Sequence, residues 1–531
     1  MPAAVDRAFE RRVSSLINSG EPGILQGGRK GVEKESLRVH ADGRIAHTPH
    51  PRILGSALTS EHITTDFSES LIELVTPAFT TSWELLQYLC DLHQFVYRRL
   101  GDELLWATSM PCELASDADV PIAKYGRSNL GRLKTAYRNG LRNRYGGMMQ
   151  AISGVHFNYS FPERFWDAWA AAREWRGPVD AAARSTGYFE LLRNYRRFGW
   201  LVLYLFGASP AVGRSFLADA HADLPRLDAL TAYEPYGTSL RMSDIGYRNR
   251  DQADVNVSVN SLEHYVRDLR HAMATVHPPF EKLGVRVGND YRQLNANILQ
   301  IENEYYSFIR PKRVTRPGES PSAALLRAGV EYVEVRALDV SAFDPVGVNQ
   351  NKLRFMEVFC ALCLLKTRAP IEPGEQQEID DNHLRVARRG REPRLQLARN
   401  GRDVGLDTWA RELLDSMEGL CELLDHGDAT RPYTAALRAQ QEKLDDVART
   451  PSARVLAELR STGESFFDLA LRMSGLHKAY FLDLHVPNDA RLDEFAAEAE
   501  ESLEAQDRRE AAEREPFEVY LAKYLGAASQ S

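Results

Sequence analysis

The sequence predicts a soluble fold that mixes β-strands and helices over its first two-thirds and is helical beyond. Three observations carry this. Short runs of period two, such as GVHFNYSF and VEYVEVRALDV, alternate with stretches of helical period up to about residue 366. After residue 403 the apolar positions recur at helical spacing: Leu492, Phe495, Ala496, Ala499 and Leu503 form one stripe, and Phe517, Tyr520, Leu521, Tyr524 and Leu525 another. Finally, 44% hydrophobic and 26% charged residues over 531 positions, with a mean hydropathy of −0.39, are ordinary for a globular chain. That balance excludes a disordered chain, a collagen-like repeat and an integral membrane protein.

The elements follow in order. Val5, Phe9, Val13, Leu16 and Ile17 make an N-terminal helical stripe whose Asp6 and Glu10 argue against a signal peptide. GVEKESLRV and LIELV read as strands. Trp83 to Leu100 reads as a helix, with Thr81 or Ser82 as N-cap and Gly101 just past its end. In GVHFNYSF, Val155, Phe157 and Tyr159 share one face, and His156, Asn158 and Ser160 the other. The apolar run Phe198 to Val212 is shorter than the roughly 20 residues a bilayer requires. In VEYVEVRALDV, Tyr332, Glu334 and Arg336 share a face. FMEVFCALCLLK reads as a buried helix, which makes Cys360 and Cys363 packing residues, not a redox or metal pair.

Pro370 to Asp403 is rich in Pro, Gly and charge and predicts a polar connecting segment. The expected layout is a core over 1–369, a connector over 370–403 and a helical region over 404–531 packed on that core. The net charge is −8, and residues 489–515 hold eleven acidic and four basic side chains, expected to be the solvated face of a packed helix. No basic field argues for nucleic acid. Five cysteines do not form a disulfide framework, so a cytoplasmic location is expected.

Phosphate-cradling glycine loops, H-E-x-x-H, G-x-S-x-G and paired-cysteine zinc spacings are all missing. What remains is carboxylates in strand-like, apolar settings. Glu33 and Glu35 are two apart and leave one strand face; Asp66 and Glu73 bracket a short segment; Glu334 shares a face with Arg336. Each alone reads as an ion pair with a neighbouring Lys or Arg. Converging, the five would form a site that only several cations could neutralise. Hard oxygen donors favour Mg²⁺ shared with phosphates, and His156 could join as a nitrogen ligand that Mn²⁺ tolerates better. Arg241, Tyr247, Tyr137, Arg138, Arg142 and Arg144 would suit a small anionic substrate, or equally surface helices. A metal-dependent hydrolase and a structural ion-pair network stay open at this point.

The same segments carry a resemblance. GVEKESLRV, ITTDFSESLIELVTP, YGRSNLGRLKTAYRNGLRNRYG, MMQAISGVHFNYS, YLFGASPA, SLRMSDIGY, LQIENEYY, IRPKRVTRPGESPS and VEYVEVRALDV occur in this order, from about Gly20 to about residue 365. Together they resemble the proteobacterial-type glutamate–cysteine ligases; beyond residue 370 the likeness is looser and ends in PFEVYL. The resemblance implies an α+β fold like that of glutamine synthetase, with a curved, mainly antiparallel sheet forming a funnel. It implies ATP-dependent ligation of the γ-carboxylate of L-glutamate to the amine of L-cysteine through γ-glutamyl phosphate, the first step of glutathione biosynthesis. Glu33, Glu35, Asp66, Glu73, His156 and Glu334 would be the Mg²⁺ ligands, with Mn²⁺ able to substitute. Arg336 would meet the γ-phosphate, and Arg241 the substrate carboxyl and the transferring group. Phe67, Tyr137, Leu141, Gln150, Tyr247 and Tyr306 resemble the cysteine pocket, and Arg138 a carboxylate contact. Arg310, Lys312 and Arg313 would contact the nucleotide. A monomer, feedback inhibition by glutathione, and no nucleic acid or membrane partner complete the expectation. Unlike some members, this chain has no cysteine over 366–400. The alternative within the class is a γ-glutamyl ligase with another amine acceptor; an aromatic pocket disfavours ammonia, which needs a cation-like site.

Overall fold

Seven strands form one antiparallel sheet, and its order decides which side chains can meet. They are β1 (Arg29–Val39), β2 (Ile63–Thr65), β3 (Leu71–Val75), β4 (Leu104–Leu105), β5 (Gly154–Ser160), β6 (Ile309–Lys312) and β7 (Tyr332–Asp339). The order is β6-β7-β5-β1-β3-β2, with β4 paired to the last residues of β1. The computed structural model describes residues 6–217, 224–246, 255–366, 369–485 and 489–530.

The period of two sorts each strand into two faces. Val32, Ile72, Leu74, Val155, Phe157, Tyr159, Val333 and Val335 are buried in the main core. Helices α4 (Ala181–Phe198), α5 (Trp200–Phe206) and α6 (Gln350–Leu365) contribute to the same core. α6 is buried on nearly every side, so it reads as a continuous apolar run without amphipathic period. Cys360 and Cys363 both lie inside it at 0% exposure, and burial pushes both thiols up, which makes them inert packing residues.

Three further helices frame the sheet. α1 (Arg7–Ile17) buries Phe9, Val13 and Leu16, as its stripe requires, while Ile17 is left exposed; Val5 lies outside the described residues. α2 (Ser82–Tyr97) is capped by Thr81, whose side chain accepts from the Glu84 amide, and ends three residues before the Leu100 that the sequence predicts. α3 (Asn129–Tyr145) is capped by Ser128 and stopped by Gly146 at φ +85°.

The segment 370–403 differs from its reading as a polar connector. It holds a helix, α7 (Pro373–Arg389), and a strand over Gln396–Arg399 paired with Arg402–Gly405. The buried stripe of α7 is Ile379, Asn382, His383, Val386 and Ala387, so polar side chains occupy core positions. Asn382 Nδ2 donates to the Ala398 carbonyl at 2.7 Å, and His383 Nε2 lies 2.9 Å from the Arg196 carbonyl. Because hydrogen-bonded amide and imidazole replace aliphatic groups, apolar periodicity is faint there. Among the described residues no helix is long and apolar enough to cross a membrane.

One ion pair ties the core face of the sheet to α6. Lys30 Nζ on β1 lies 2.6 Å from Glu357 Oε2, both 1% exposed, and the Tyr433 hydroxyl donates to Glu357 Oε1 at 3.1 Å. Burial raises the Glu357 carboxyl despite these partners. Removing one charge strands the other, so Glu357→Ala is expected to cost about 3–5 kcal/mol in urea unfolding. The double variant Lys30→Met/Glu357→Leu should recover most of that loss, and equal destabilisation by both would refute this account.

Candidate active site

The face of the sheet opposite the core gathers the acidic residues by register. Glu33 on β1 stands opposite His156 on β5, Glu35 stands opposite Glu73 on β3, and Glu334 on β7 lies between Asn158 on β5 and Arg310 on β6. Asp66 follows β2. All six line one cavity of about 380 Å³.

Their spacing is close. His156 Nδ1 is 3.0 Å from Glu33 Oε2 and 3.5 Å from Glu334 Oε1, while its Nε2 is 3.5 Å from Glu35 Oε1. Asn158 Nδ2 donates to Glu33 Oε1 at 2.9 Å, and the Gly154 amide donates to Glu35 Oε2 at 2.7 Å. The electrostatics divide this set. Burial, Glu33 and Asp66 hold the Glu73 carboxyl well above the ordinary range, and burial with Asp66 raises Glu35. Glu334 goes the other way: against its burial, Lys312 and Arg336 hold it well below that range.

The donor set fits a hard divalent cation. Glu33, Glu73 and His156 each offer a ligand atom, and these atoms lie within 4.8 Å of one another. Glu334 Oε2 is buried without a hydrogen bond, with the Lys312 ammonium 3.4 Å away. Several oxygens and one imidazole nitrogen suit Mg²⁺ or Mn²⁺.

Arg336 sits at an irregularity of β7, whose pairing with β5 slips between Val335 and Leu338. Alternation keeps its side chain on the face of Glu334. Arg336 Nη1 meets Glu334 Oε1 at 2.9 Å and lines the cavity with Arg310 and Lys312. Arg313 does not line it. Its Nε donates to the Gly329 carbonyl, and it faces a second cavity of about 380 Å³ that shares Asn303, Arg310 and Lys312 with the first.

The opposite wall is α3. Lys134, Tyr137, Arg138, Leu141 and Tyr145 face the cavity at successive steps of three, one, three and four. Arg138 Nε donates to the Asp66 carbonyl at 2.5 Å, and its guanidinium lies 4.5 Å from the Tyr125 ring centroid. Phe67, Gln150 and Tyr306 also line the cavity. Tyr247 lies outside the described residues.

Arg241 is buried at 1% exposure and is not among the residues lining the cavity. Its Nη2 donates to the Arg336 carbonyl at 2.9 Å, and its Nη1 is 3.7 Å from Asp339. Asp339 is itself fixed by the Ala208 amide at 2.8 Å and the Ser239 hydroxyl at 2.9 Å. In this geometry Arg241 supports the strand segment carrying Arg336 from behind.

Comparison with known proteins decides the family. A family model described as glutamate-cysteine ligase matches residues 13–386. The chain is 46% identical over 522 residues to the glutamate–cysteine ligase of Alcanivorax borkumensis, covering 97% of this chain and 99% of that one. It is 46% identical over 516 residues to that of Pseudomonas putida, covering 97% and 98%. The chain belongs to the glutamate–cysteine ligase family. The crystal structure of the Francisella tularensis glutamate–cysteine ligase, in complex with AMP, superposes with a TM-score of 0.89 at 34% identity, covering 96% of this chain and 99% of that one. A bifunctional glutathione synthetase from Pasteurella multocida shares the fold at a TM-score of 0.69 and 23% identity, over 90% of this chain and 55% of that one. The architecture is the α+β fold of the glutamine-synthetase type.

For a glutamate–cysteine ligase, sequence reasoning leaves several lining residues unnamed. Lys134 and Tyr145 were legible in principle, because they extend the helical face that contains Tyr137, Arg138 and Leu141, whereas Met149 lies beyond the end of α3 and carries no such signal. Burial and the neighbouring Arg138 push the Lys134 ammonium down to about 8. Asn303 and Glu304 sit in the acidic run LQIENEYY, where nothing marks which carboxylate faces inward. Glu304 is engaged by Arg144 at 2.9 Å and by the Tyr145 hydroxyl at 2.8 Å.

Gly154 links both halves of the site. A Cβ there would lie 2.1 Å from Arg241 Nη2, and its amide holds Glu35. Gly154→Ala should therefore shift Arg241, and with it Arg336. Displacement on the scale of an ångström is expected to cut turnover about 10²-fold, with the circular dichroism melt near that of the wild type. Wild-type turnover would show that this packing does not matter.

Proposed function

We propose that this cavity joins the γ-carboxylate of L-glutamate to the amine of L-cysteine, with ATP as co-substrate, to give γ-glutamylcysteine, the first intermediate of glutathione biosynthesis. The observation that carries the reading is the convergence of six ligand-type side chains, Arg336 and the aromatic face of α3 on one cavity in a chain of this family. The AMP in the related Francisella tularensis enzyme supports an adenine nucleotide as the third substrate.

A carboxylate and an amine do not condense in water, so the acid must first be activated. The glutamate γ-carboxylate attacks the γ-phosphorus of ATP, giving γ-glutamyl phosphate and ADP. The cysteine amine then attacks the acyl carbon, phosphate leaves with the bonding pair, and the amine loses a proton. Such transfers require positioning and charge neutralisation more than covalent help from the protein. Arg336 presents a planar fork to the transferring phosphoryl group, held in place by Glu334 at 2.9 Å and from behind by Arg241. Arg310 and Lys312 line the same side and hold the polyphosphate. Arg138 meets the acceptor carboxylate. Phe67, Tyr137, Leu141 and Tyr306 exclude water from the acyl phosphate and enclose the small side chain of the acceptor.

Glu33, Glu35, Asp66, Glu73, His156 and Glu334 would hold Mg²⁺, or Mn²⁺ in its place. Bound there, the metal neutralises charge between the carboxylates and the ATP phosphates. A monomer is proposed as the working unit. Glutathione contains the product's γ-glutamylcysteinyl moiety, so it is proposed to occupy the same cavity and inhibit. A cytoplasmic location matches the need for ATP.

The testing experiment is a coupled ADP-release assay with glutamate and a panel of amines. ADP release is expected to require Mg²⁺, L-glutamate and L-cysteine together; ammonia outperforming cysteine would refute the acceptor assignment. For the metals, Glu33→Gln and Glu334→Gln should raise the Mg²⁺ requirement and lower turnover on the order of 10²–10³-fold. Glu33→Gln should fold, because removing one of several like charges relieves repulsion, whereas Glu334→Gln also takes the counter-ion from Lys312 and Arg336 and should lower the melting temperature. A variant with wild-type turnover at limiting Mg²⁺ would remove that carboxylate from the ligand set.

A further inference from the structure

The reaction as derived leaves one wall of the cavity without a role. Helix α8 (Asp489–Ala512) and helix α9 (Phe517–Gln530) form the end of the described chain, and Tyr524 of α9 lines the cavity together with Leu133 and Ile301. The sequence reads this region only as two packed apolar stripes. The structure gives it a specific seat on α3, the helix that carries Tyr137, Arg138 and Leu141.

Two independent sets of contacts make that seat. The first is polar and lies at the N-terminal end of α3. The Glu513 carboxylate accepts from the Asn129 amide at 3.0 Å, the Glu515 carbonyl accepts from Asn129 Nδ2 at 2.8 Å, and Glu510 accepts from the Arg127 amide at 2.7 Å. Carboxylates at a helix N-terminus complement its exposed amides and its dipole. The acidic run over 489–515 is therefore not only a solvated face: two of its members dock on α3. The second set is apolar. Phe517 and Leu521 are buried with Leu133 and Ala136 of α3 and with Leu294, and Tyr137 and Tyr524 pack against this cluster. The Arg132 guanidinium lies over the Phe517 ring at 4.3 Å. Tyr137 thus faces the cavity with its back on the cluster that seats Tyr524.

We infer that Tyr524 is a specificity-determining residue, forming the wall that limits the size of the amine acceptor. An aromatic ring with two side-chain torsions, held by α9, bounds a chamber at low entropic cost. Burial pushes its hydroxyl up to about 12, so the ring stays neutral at working pH and acts through shape. The inference rests on the acceptor side of the cavity being the α3 side, as proposed above.

The test uses the full-length chain and the variants Tyr524→Phe, Tyr524→Leu and Tyr524→Ala. KM and kcat are measured for ATP, L-glutamate and L-cysteine, and kcat/KM for L-2-aminobutyrate and the longer L-norleucine. For Tyr524→Ala, the norleucine-to-cysteine ratio of kcat/KM should rise by roughly tenfold or more, the scale on which a pocket discriminates by methylenes. The KM for cysteine should rise while that for ATP stays put. Tyr524→Phe should behave as wild type, since the wall acts through the ring, and Tyr524→Leu, which keeps the apolar packing, should fall between should Tyr524→Ala fail to fold. An unchanged acceptor ratio in both Tyr524→Leu and Tyr524→Ala, or a rise confined to the KM for ATP, overturns the inference. A wild-type enzyme that does not use cysteine at all overturns the proposed function instead, so the two failures are distinguishable.

Discussion

Six ligand-type groups, five of them carboxylates, held on one face of one sheet are the constraint around which the rest of this molecule is built. Like charges this close disfavour the fold that gathers them. What holds them is an antiparallel ladder, whose register admits no small adjustment: a slip by one residue would turn Glu33, Glu35 and Glu73 into the apolar core. The opposite face meets this demand with Val32, Phe157 and Val335 in the main core, so a displaced register would also strand aliphatic side chains on the polar side. Burial of one face fixes the chemistry of the other.

Within the acidic face, the positions of the cations decide which carboxylates keep their charge. Glu334 lies between Lys312 and Arg336 and stays ionised in spite of burial. Glu73 is driven the other way by its burial and by Glu33, Asp66 and Glu35, which outweigh Arg336. The gradient runs along the sheet from β6 and β7, with their Arg310, Lys312 and Arg336, towards β3. A polyphosphate attracted by those cations would approach from the β6 side, leaving the β1–β3 side and α3 for the amino acids. The alternation of β7 fits this division, since it sets Arg336 on the same face as Glu334.

How far the sequence revealed this depends on which physical signal each part leaves. Strand alternation and a charged residue inside an apolar run are local signals, so Glu33, Glu35, Glu73, His156 and Glu334 could be singled out from their own segments. Their convergence could not, because register across β5, β1 and β3 is a long-range property that only the family resemblance supplied. Arg241 was recognised as important, but its orientation was not legible: a single arginine in SLRMSDIGY does not show that Asp339 and the Arg336 carbonyl will take its guanidinium. α7 escaped because Asn382 and His383 fill core positions through hydrogen bonds, which weakens the apolar period on which helix reading relies. Arg313 lies among residues that do line the site, and its side chain turns away because the Gly329 carbonyl captures it.

The two halves of the cavity are built from different material, and this has a functional logic. Metal coordination and phosphoryl transfer tolerate little positional error, and the proposed groups for both stand on hydrogen-bonded strands or are braced from behind, as Arg336 is by Arg241 and Asp339. The amine acceptor requires an enclosure of the right size, and the proposed one is helix α3, whose side chains line the cavity at spacings of three and four. A helix is held by its ends and its apolar stripe, so its position can be set from outside the sheet. Here Glu513, just past the end of α8, grips its N-terminus, and the aromatic stripe of α9 supports the back of Tyr137. The helical end of the chain, remote in sequence from every group proposed for the chemistry, thereby sets the wall against which the acceptor must fit.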